Sequence, residues 1–227
     1  MQQLGLIVVV SIACMVTWVS AGGQAAEMQT PQGREVSTAS EHYQVITVDG
    51  RELKHGGYTR LHPNGQKREE GRYANGEKDG AWTYWDKNGL KFKEEGWRKG
   101  KRHGHWVEWY GNGKKAFEGD YENDKPVKTH REWHMDGAKK SETVYDTQNG
   151  RVLGRKKTWH PDGKPYTEYG LADGQMHGGY TSWHPNGQIR VRCNYDGKGK
   201  DGLWTTWDKT GLITSQQRYK NGKLVQE

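Results

Sequence analysis

The chain has 227 residues, a formal net charge of +7 and 31% hydrophobic residues. This hydrophobic fraction is too low for a large aliphatic core such as that of a Rossmann domain or TIM barrel. Glycine is abundant, at 32 residues, and the 11 tryptophans far outnumber the 2 phenylalanines. Disordered chains are poor in aromatic residues, so the composition argues against disorder as well. The composition therefore indicates a folded chain whose apolar side chains are mainly aromatic.

The chain begins with an uncharged, mostly apolar segment, residues 4–21. This segment predicts a secretory signal peptide over residues 1–21, with small residues before Gly22 as the cleavage site. Two alternatives are an uncleaved membrane anchor, for which 18 residues just suffice, and a lipoprotein signal at Cys14. All three make the protein an exported one: periplasmic, extracellular or envelope-associated. Residues 22–44 are polar and aperiodic, which predicts a flexible tether.

From residue 45 to residue 227 the sequence predicts a repeat array. Turn glycines recur at intervals of 24 residues, with one interval of 26, at Gly65, Gly89, Gly113, Gly137, Gly163, Gly187 and Gly211, and they define the first to seventh repeats. Asn or Asp precedes six of them, which predicts hairpins with type I′ turns. The two extra residues are expected in the loop 146–150. The predicted fold is all-β: an elongated, curled antiparallel β-meander of about seven 24-residue β-hairpin repeats.

A longer period is superimposed on the 24-residue repeat. Residues 56–66 recur as residues 178–188, and residues 78–90 recur as residues 200–212. Both shifts are 122 residues. A block of repeats was therefore duplicated within the chain, and the sixth and seventh repeats correspond to the first and second.

Tryptophans occupy two fixed positions in the repeat. One lies four residues before the turn glycine, as in Trp85, and a second lies three residues earlier, as in Trp82, so the two side chains point to opposite faces of a strand. One row is expected to form the core, and the other is either cross-strand packing beneath lysine stems or a partner surface. The candidate partner-binding aromatics are Trp82, Trp85, Trp106, Trp109, Trp133, Trp159, Trp183, Trp204 and Trp207.

The repeat resembles the MORN repeat, in the bacterial variant found in the YwqK family of antitoxins. The resemblance rests on Gly80, Trp82, Trp85, Gly89, Trp97 and Gly100, and again on Gly104, Trp106, Trp109, Gly113 and Tyr121. It extends over about residues 56–222 and implies an antitoxin-like, neutralising role. The fourth repeat departs from the pattern, with Lys128 and His130 where glycine and an aromatic residue are expected. The sheet is therefore expected to bend or loosen there.

Three rows of titratable residues invite a catalytic or metal-binding interpretation: His62, His134, His160 and His184; Glu70, Glu94, Glu118, Glu142 and Glu168; and His55, His103 and His177. Repeats about 9.6 Å apart place the histidines too far from one another to share a metal ion. We therefore assign both histidine rows to turns and expect the glutamates to pair with lysine. No catalytic, cofactor-binding or metal-binding residue is predicted, and the protein is not expected to be an enzyme.

The remaining cysteine of the exported chain, Cys193, is expected to be a small buried apolar residue rather than a reactive thiol.

The favoured function is a non-enzymatic, secreted scaffold that binds another protein along an extended face. The alternative is a cell-envelope or membrane-surface binder that recognises glycan or anionic lipid through its aromatic and basic rows. A third interpretation is a passive spacer. Export argues against nucleic acid as the partner.

Overall fold

The structure, a computed structural model, describes residues 33–225. Within this range the chain forms 19 β-strands and no helix. The described residues form two compact units, residues 33–101 and 102–225. Inside each unit the strands pair antiparallel in chain order, with the short strand β5 and the following β6 both pairing with β4. The predicted antiparallel meander is confirmed, whereas the predicted signal peptide, residues 1–21, lies outside the described residues.

The N-terminal unit contains the first two repeats. Its strands are β1 (Arg34–Ser37), β2 (Glu41–Val48), β3 (Arg51–Leu61), β4 (Lys67–Ala74), β5 (Glu77–Lys78), β6 (Gly80–Trp85) and β7 (Lys91–Arg98). The division between the units falls within the short strand β8 (Lys101–Arg102).

The C-terminal unit contains the other five repeats. Its strands are β9 (Gly104–Trp109), β10 (Lys115–Glu122), β11 (Lys125–Trp133), β12 (Lys139–Gln148), β13 (Arg151–Trp159), β14 (Pro165–Ala172), β15 (Gln175–Trp183), β16 (Ile189–Asp196), β17 (Lys200–Trp207), β18 (Ile213–Lys220) and β19 (Lys223–Leu224). Two types of turn connect the successive strands.

Strands β1 and β2 form a hairpin ahead of the first repeat, with Arg34 opposite Val45. Its turn is closed by Thr38, whose backbone N–H donates to the carbonyl of Glu41 at 2.8 Å and whose hydroxyl accepts from the Glu41 N–H at 2.9 Å. The tether prediction is therefore wrong for residues 34–44. Threonine supplies the turn chemistry here, and the segment lacks the glycine signal that identifies the other hairpins.

The loops at the turn glycines contain three residues, not the two of a type I′ turn. In the first repeat Gly65 N–H donates to the carbonyl of His62 at 2.9 Å, and His62 N–H donates to the carbonyl of Gln66 at 2.8 Å. Gly65 is left-handed, with φ of 82°, whereas Asn64 is not. Because Pro63 fixes a negative φ, the loop is a type I turn followed by a left-handed glycine. The same two bonds recur in all seven repeats.

Type I′ turns occur instead at the other end of the strands, where both central residues have positive φ. They are Asp49–Gly50, Asn75–Gly76, Lys99–Gly100, Asn123–Asp124, Asn149–Gly150, Asp173–Gly174 and Asn221–Gly222. The predicted turn type is therefore present, but at the second turn of the repeat rather than at the turn glycine. The sixth repeat differs, because only Gly197 and Gly199 have positive φ in its second turn.

Asparagine side chains join neighbouring repeats at the turn glycines. Asn112 Oδ1 accepts from the N–H of Lys114 at 3.0 Å, within its own loop. The Nδ2 group of Asn112 donates to the carbonyl of Met135, in the next loop, at 2.8 Å. Asn64 and Asn186 make equivalent bonds at 2.7 Å. This amide therefore fixes its own turn and ties it to the following one.

The fourth repeat keeps its strand pairing despite the loss of glycine. Lys128 adopts the left-handed conformation, with φ of 57°, at the position where Gly104 has φ of 87°. A β-bulge lies opposite it, between Glu118 and Asp120, as one lies near the equivalent glycine of other repeats. Strand β11 pairs with both β10 and β12 over its length. The expected loosening of the sheet is therefore wrong, because lysine takes the conformation that glycine normally supplies.

The two extra residues of the fourth repeat lengthen its strands. Asp146 pairs with Leu153, and Gln148 pairs with Arg151, so only two residues remain in the turn. This β12–β13 ladder has no register shift. The loop predicted at residues 146–150 is therefore wrong in most of its length, because a two-residue turn allows the ladder to continue to Gln148.

Candidate functional site

One face of each unit carries a row of mostly aromatic side chains seven residues before the turn glycine. We call it the inner row; it consists of Tyr58, Trp82, Trp106, His130, Lys156, Tyr180 and Trp204. Trp82 is fully buried, and its ring centroid lies 5.5 Å from that of Tyr58 and 5.0 Å from that of Tyr73. Trp106 is 8% exposed. These contacts make the inner row the core of the array.

Glycines provide the space that the inner row occupies. A Cβ atom on Gly71 would lie 2.2 Å from the indole of Trp82, and one on Gly119 would lie 2.5 Å from the imidazole of His130. Trp82 Nε1 donates to the carbonyl of Arg72 at 3.1 Å, while His130 Nε2 bonds to the carbonyl of Asp120 at 2.7 Å. His130 is thus the aromatic residue of the fourth repeat.

Cations lie above the inner row, eleven residues before the turn glycine. Lys78 Nζ is 4.2 Å from the ring centroid of Trp82, and Lys200 Nζ is 3.7 Å from that of Trp204. Lys54 takes the same place above Tyr58, at 4.4 Å. Sequence reasoning missed this feature, although its signal, a cation four residues before the aromatic, is visible in these repeats. The cations act as caps that shield the ring faces while keeping their charge in water.

Glu95 is a buried carboxylate beside the inner row, with 6% of its surface exposed. It forms an ion pair with Lys93 at 2.7 Å and accepts hydrogen bonds from Tyr84 at 2.7 Å and Trp97 at 2.8 Å. Burial alone would raise its pKa, but the bonds from Lys93, Tyr84 and Trp97 outweigh burial and lower the pKa of Glu95. Burial and the bond to Glu95 raise the pKa of the Tyr84 hydroxyl. The cluster is satisfied internally and is a structural one.

The opposite face carries the tryptophans four residues before the turn glycine. We call this set the outer row; it consists of Trp85, Trp109, Trp133, Trp159, Trp183 and Trp207, all half-buried. Lysines from the preceding repeat lie against several of them: Lys67 is 5.8 Å from the ring of Trp85, and Lys139 is 5.0 Å from that of Trp159. The outer row is therefore partly covered by lysine, and its ring edges remain accessible.

The nine candidate tryptophans divide between the two rows. Trp82 and Trp106 are buried in the inner row, so they are core residues and present no surface to a partner. Trp204, also in the inner row, is half-buried beneath Lys200. The other six candidates, Trp85, Trp109, Trp133, Trp159, Trp183 and Trp207, form the outer row. The half-buried candidates are therefore the six tryptophans of the outer row and Trp204 of the inner row.

The glutamate row pairs with basic residues, as expected. Four of the pairs involve the lysine three positions earlier on the same strand, as in Lys115–Glu118 at 2.6 Å. In β10 a bulge between Lys115 and Phe117 turns both side chains to the same face. Burial opposes ionisation of Glu118, but Lys115 and Arg131 outweigh burial and lower its pKa. The row therefore balances the outer-face lysines.

The row of His62, His134, His160 and His184 lies at turns, as expected. The turn assignment is wrong for His55 and His177 of the other row, which lie within β3 and β15, because the left-handed glycine after each of them forms a bulge in a strand that continues. His62 Nε2 is 2.8 Å from the carbonyl of Trp85, and His184 makes the same contact with Trp207 at 2.9 Å. In the other row, His55 Nδ1 accepts from the backbone N–H of Asn75 at 3.3 Å. Between residues 33 and 225, no cluster of three or more His, Cys, Asp or Glu side chains is arranged to hold a metal ion.

Cys193 is buried in the inner face, with 4% of its surface exposed, in the position that Gly71 occupies in the first repeat. It is a free thiol and pairs across the ladder with Tyr180. Burial raises the pKa of the Cys193 thiol to about 11. The expected role as a small buried residue is confirmed.

Two grooves open on the outer face of the C-terminal unit. The first, of about 720 Å³, has an aliphatic floor formed by Val144 and Leu153. The second, of about 530 Å³, lies between Arg155 and Arg192 and is bordered by Trp183. Gly154 and Arg155 line both grooves. These two grooves therefore lie on the same face as the outer row.

The sequence of two repeats is similar to a known family of repeats. Residues 102–123 and 176–196 match a family model described as the MORN repeat variant. The match supports a MORN-repeat protein. Both matched MORN-variant segments lie in the C-terminal unit and include the strands that carry Trp106 and Tyr180 of the inner row. No curated protein is significantly similar to the chain. The described residues include no helix long and apolar enough to cross a membrane.

Proposed function

We propose that the chain is a non-enzymatic scaffold that binds another protein through its outer face. The observation that carries the proposal is the outer row of the C-terminal unit, where half-buried tryptophans occupy the same position in five successive MORN-type repeats. A half-buried indole offers a large apolar contact area at a small cost in conformational entropy, and tryptophan is enriched in protein interfaces. Repeat arrays commonly use such continuous faces for binding.

The engagement of the titratable groups supports a role without catalysis. The outer glutamates are paired with lysine or arginine, as in Glu142 with Lys139 at 3.2 Å and Arg131 at 3.0 Å. His62 and His184 contact backbone carbonyls at turns. The thiol of Cys193 is buried and its pKa is raised, which opposes the thiolate that a nucleophile requires.

A narrower form of the proposal is that the chain acts outside the cytoplasm and neutralises a toxin. The apolar segment at residues 4–21 supports export. The resemblance of the repeat to that of the YwqK family supports an antitoxin-like role. In that role the partner would be a protein whose activity is lost when it binds the outer face in a defined ratio.

Site-specific photo-crosslinking in cells that produce the full chain tests the proposal. Val144 and Tyr145 are adjacent in β12 but lie on opposite faces, and Val144 is 51% exposed. Each is replaced in turn by p-benzoylphenylalanine, and circular dichroism checks that the fold is retained. We expect a discrete protein adduct from position 144 and none from position 145.

Two results would contradict a protein-binding outer face. The first is the absence of any protein adduct from position 144 above that from position 145. The second is crosslinking of position 144 to lipid or glycan alone, which would favour a role at the envelope or membrane surface.

A further inference from the structure

The sixth repeat keeps three glycines of the first repeat, Gly178, Gly179 and the turn glycine Gly187, but not the outer face of that repeat. In the first repeat Lys67 and Glu70 form an ion pair at 3.0 Å. The residues 122 positions later are Ile189 and Arg192. The duplicated block has therefore lost the ion pair, replaced the lysine by an aliphatic residue and reversed the charge of the carboxylate position.

The seventh repeat differs from the second in the same way. Lys91 and Glu94 are paired on the outer face of the second repeat. Their counterparts are Ile213, which is 56% exposed, and Gln216. Two successive repeats thus lack the outer lysine–glutamate pair, so their difference from the first two is a property of one continuous surface.

We call this surface the basic-apolar patch; it consists of Trp183, Ile189, Arg192, Leu203, Ile213 and Arg218. The ladder makes it continuous, because Trp183 pairs with Ile189 in β15–β16 and Leu203 pairs with Arg218 in β17–β18. Leu203 is 45% exposed, and both arginines are exposed. Within residues 33–225 neither Arg192 nor Arg218 forms an ion pair.

The second groove of the outer face leads into the basic-apolar patch. Arg192 and Trp183 border it, and Gly179 leaves it open, since the nearest atom to a Cβ added there is 3.7 Å away. The carboxylate of Glu168 also borders this groove, but it is held by Arg155 and Lys157. The groove therefore offers an arginine beside an aromatic wall, with no carboxylate free to neutralise that arginine.

Resting on the proposed function, we propose that the basic-apolar patch docks an acidic segment of the partner protein that also carries aliphatic side chains. The partner's carboxylate would pair with Arg192, which stands at the position that Glu70 has in the first repeat. Guanidinium–carboxylate pairs of this kind are directional and strong where water is excluded. The partner's aliphatic side chains would cover Ile213 and Leu203, which are exposed.

A protein segment fits this surface better than a second copy of the chain or a membrane. A second copy of the chain also has a formal net charge of +7, so the basic surface of the first copy would repel it. A bilayer presents a flat layer of anionic groups, whereas the groove beside Gly179 is concave and about 530 Å³ in volume. A single carboxylate-bearing segment matches both the charge and the shape.

Selection of random dodecapeptides displayed on phage, with the full chain as the immobilised target, tests the proposal. We expect selected peptides to be enriched in Asp and Glu together with Leu, Ile or Val. Their affinity should fall roughly tenfold or more with Arg192→Glu, which reverses the docking charge, and with Gly179→Glu, which fills the groove. The latter has no strained φ to perturb the fold.

The duplication supplies matched controls. Gly57→Glu alters the same repeat position as Gly179→Glu, in a site where nothing lies within 4 Å of the added Cβ, and Arg68→Glu reverses an exposed charge in the first repeat. Both should leave peptide binding unchanged. Selected peptides without acidic enrichment, or peptides equally weakened by the controls, would overturn the proposal. Arg192-dependent binding to phosphatidylserine-containing vesicles without any such peptide would overturn it in favour of a lipid surface.

The two proposals fail in different ways. If position 144 gives a protein adduct that Arg192→Glu does not affect, the scaffold proposal stands and acidic docking at the basic-apolar patch is rejected. If acidic peptides bind in a way that depends on Arg192 but no protein adduct forms in cells, the chemistry proposed for the patch stands and the scaffold role is rejected.

Discussion

The imidazole Nε2 of His130 lies 2.7 Å from the backbone carbonyl oxygen of Asp120, and this contact reproduces the bond that the indole of Trp82 makes with Arg72 at 3.1 Å. In both repeats a ring N–H donates to the strand of the preceding repeat. Burial lowers the pKa of His130, and the bond to Asp120 offsets only part of that effect. The folded protein therefore favours the neutral imidazole.

We expect His130 to make the protein sensitive to acid. Because the pKa is lower in the folded than in the unfolded state, the unfolded state binds more protons as the pH falls below about 6.5, and stability is lost there. His130→Trp restores the ring used at Trp82 and should reduce this loss. Urea unfolding of both proteins at several pH values between neutrality and pH 5 measures it. An unchanged pH dependence in the variant would exclude His130 as the cause.

The left-handed backbone conformation of Lys128, in the fourth repeat, is sterically strained. Its φ of 57° costs a non-glycine residue about 1–2 kcal/mol. Lys128→Gly should therefore raise the free energy of unfolding by roughly 0.5–1 kcal/mol, after the larger chain entropy of glycine is subtracted. Lys128→Ala removes the same charge but keeps the strain, so it should give no gain in chemical denaturation. Equal effects of the two variants would assign the change to the lysine side chain.

The repeat, its strands and its antiparallel pairing follow from the sequence because glycine and tryptophan recur at fixed offsets. The positions of the type I′ turns do not follow from the sequence, because Asn-Gly is compatible with both loop types. Pro63 carries the signal for the type I turn of the first repeat. The hairpin at Thr38 was missed for a related reason, because threonine is a weaker turn former than glycine.

The candidate site was predicted only in part. Alternation along a strand separates Trp82 from Trp85 but does not determine which of them is buried. That choice depends on Gly71, a residue eleven positions away in sequence from Trp82, which leaves room for one indole. The cation caps depend on contacts of the same kind, in which a side chain as long as Lys78 reaches back over the ring.

Gly71 should be far less tolerant of substitution than Gly57. Both have ordinary extended backbone, but a Cβ on Gly71 would lie 2.2 Å from the indole of the fully buried Trp82, whereas one on Gly57 would meet nothing within 4 Å. We expect Gly71→Ala to destabilise the protein by about 3 kcal/mol, as overpacking does, and Gly57→Ala to be neutral or slightly stabilising. Thermal unfolding compares the two, and similar melting temperatures would contradict the close approach at Gly71.

Cys193 should react slowly with thiol reagents while the protein is folded. The side chain is 4% exposed, and burial raises its pKa to about 11, so the thiolate is scarce at pH 8. In a Cys14→Ser variant, which leaves Cys193 as the one cysteine of the sequence, we expect one thiol equivalent to react with Ellman's reagent only after urea is added. Free cysteine at the same pH provides the reference rate. A comparable rate in the folded protein would show that this part of the inner face opens readily.

The asparagine bonds between turns should be transferable from one repeat to another. Asn112→Asp retains the acceptor for Lys114 but removes the donor to the carbonyl of Met135, and it should cost about 1–2 kcal/mol of stability. Asp162 has the acceptor bond to Lys164, at 3.1 Å, and as an aspartate lacks the donor. Asp162→Asn should therefore gain up to about 1 kcal/mol by donating to the following loop. Denaturant titration measures both changes, and a loss of stability in both variants would contradict an interchangeable bond.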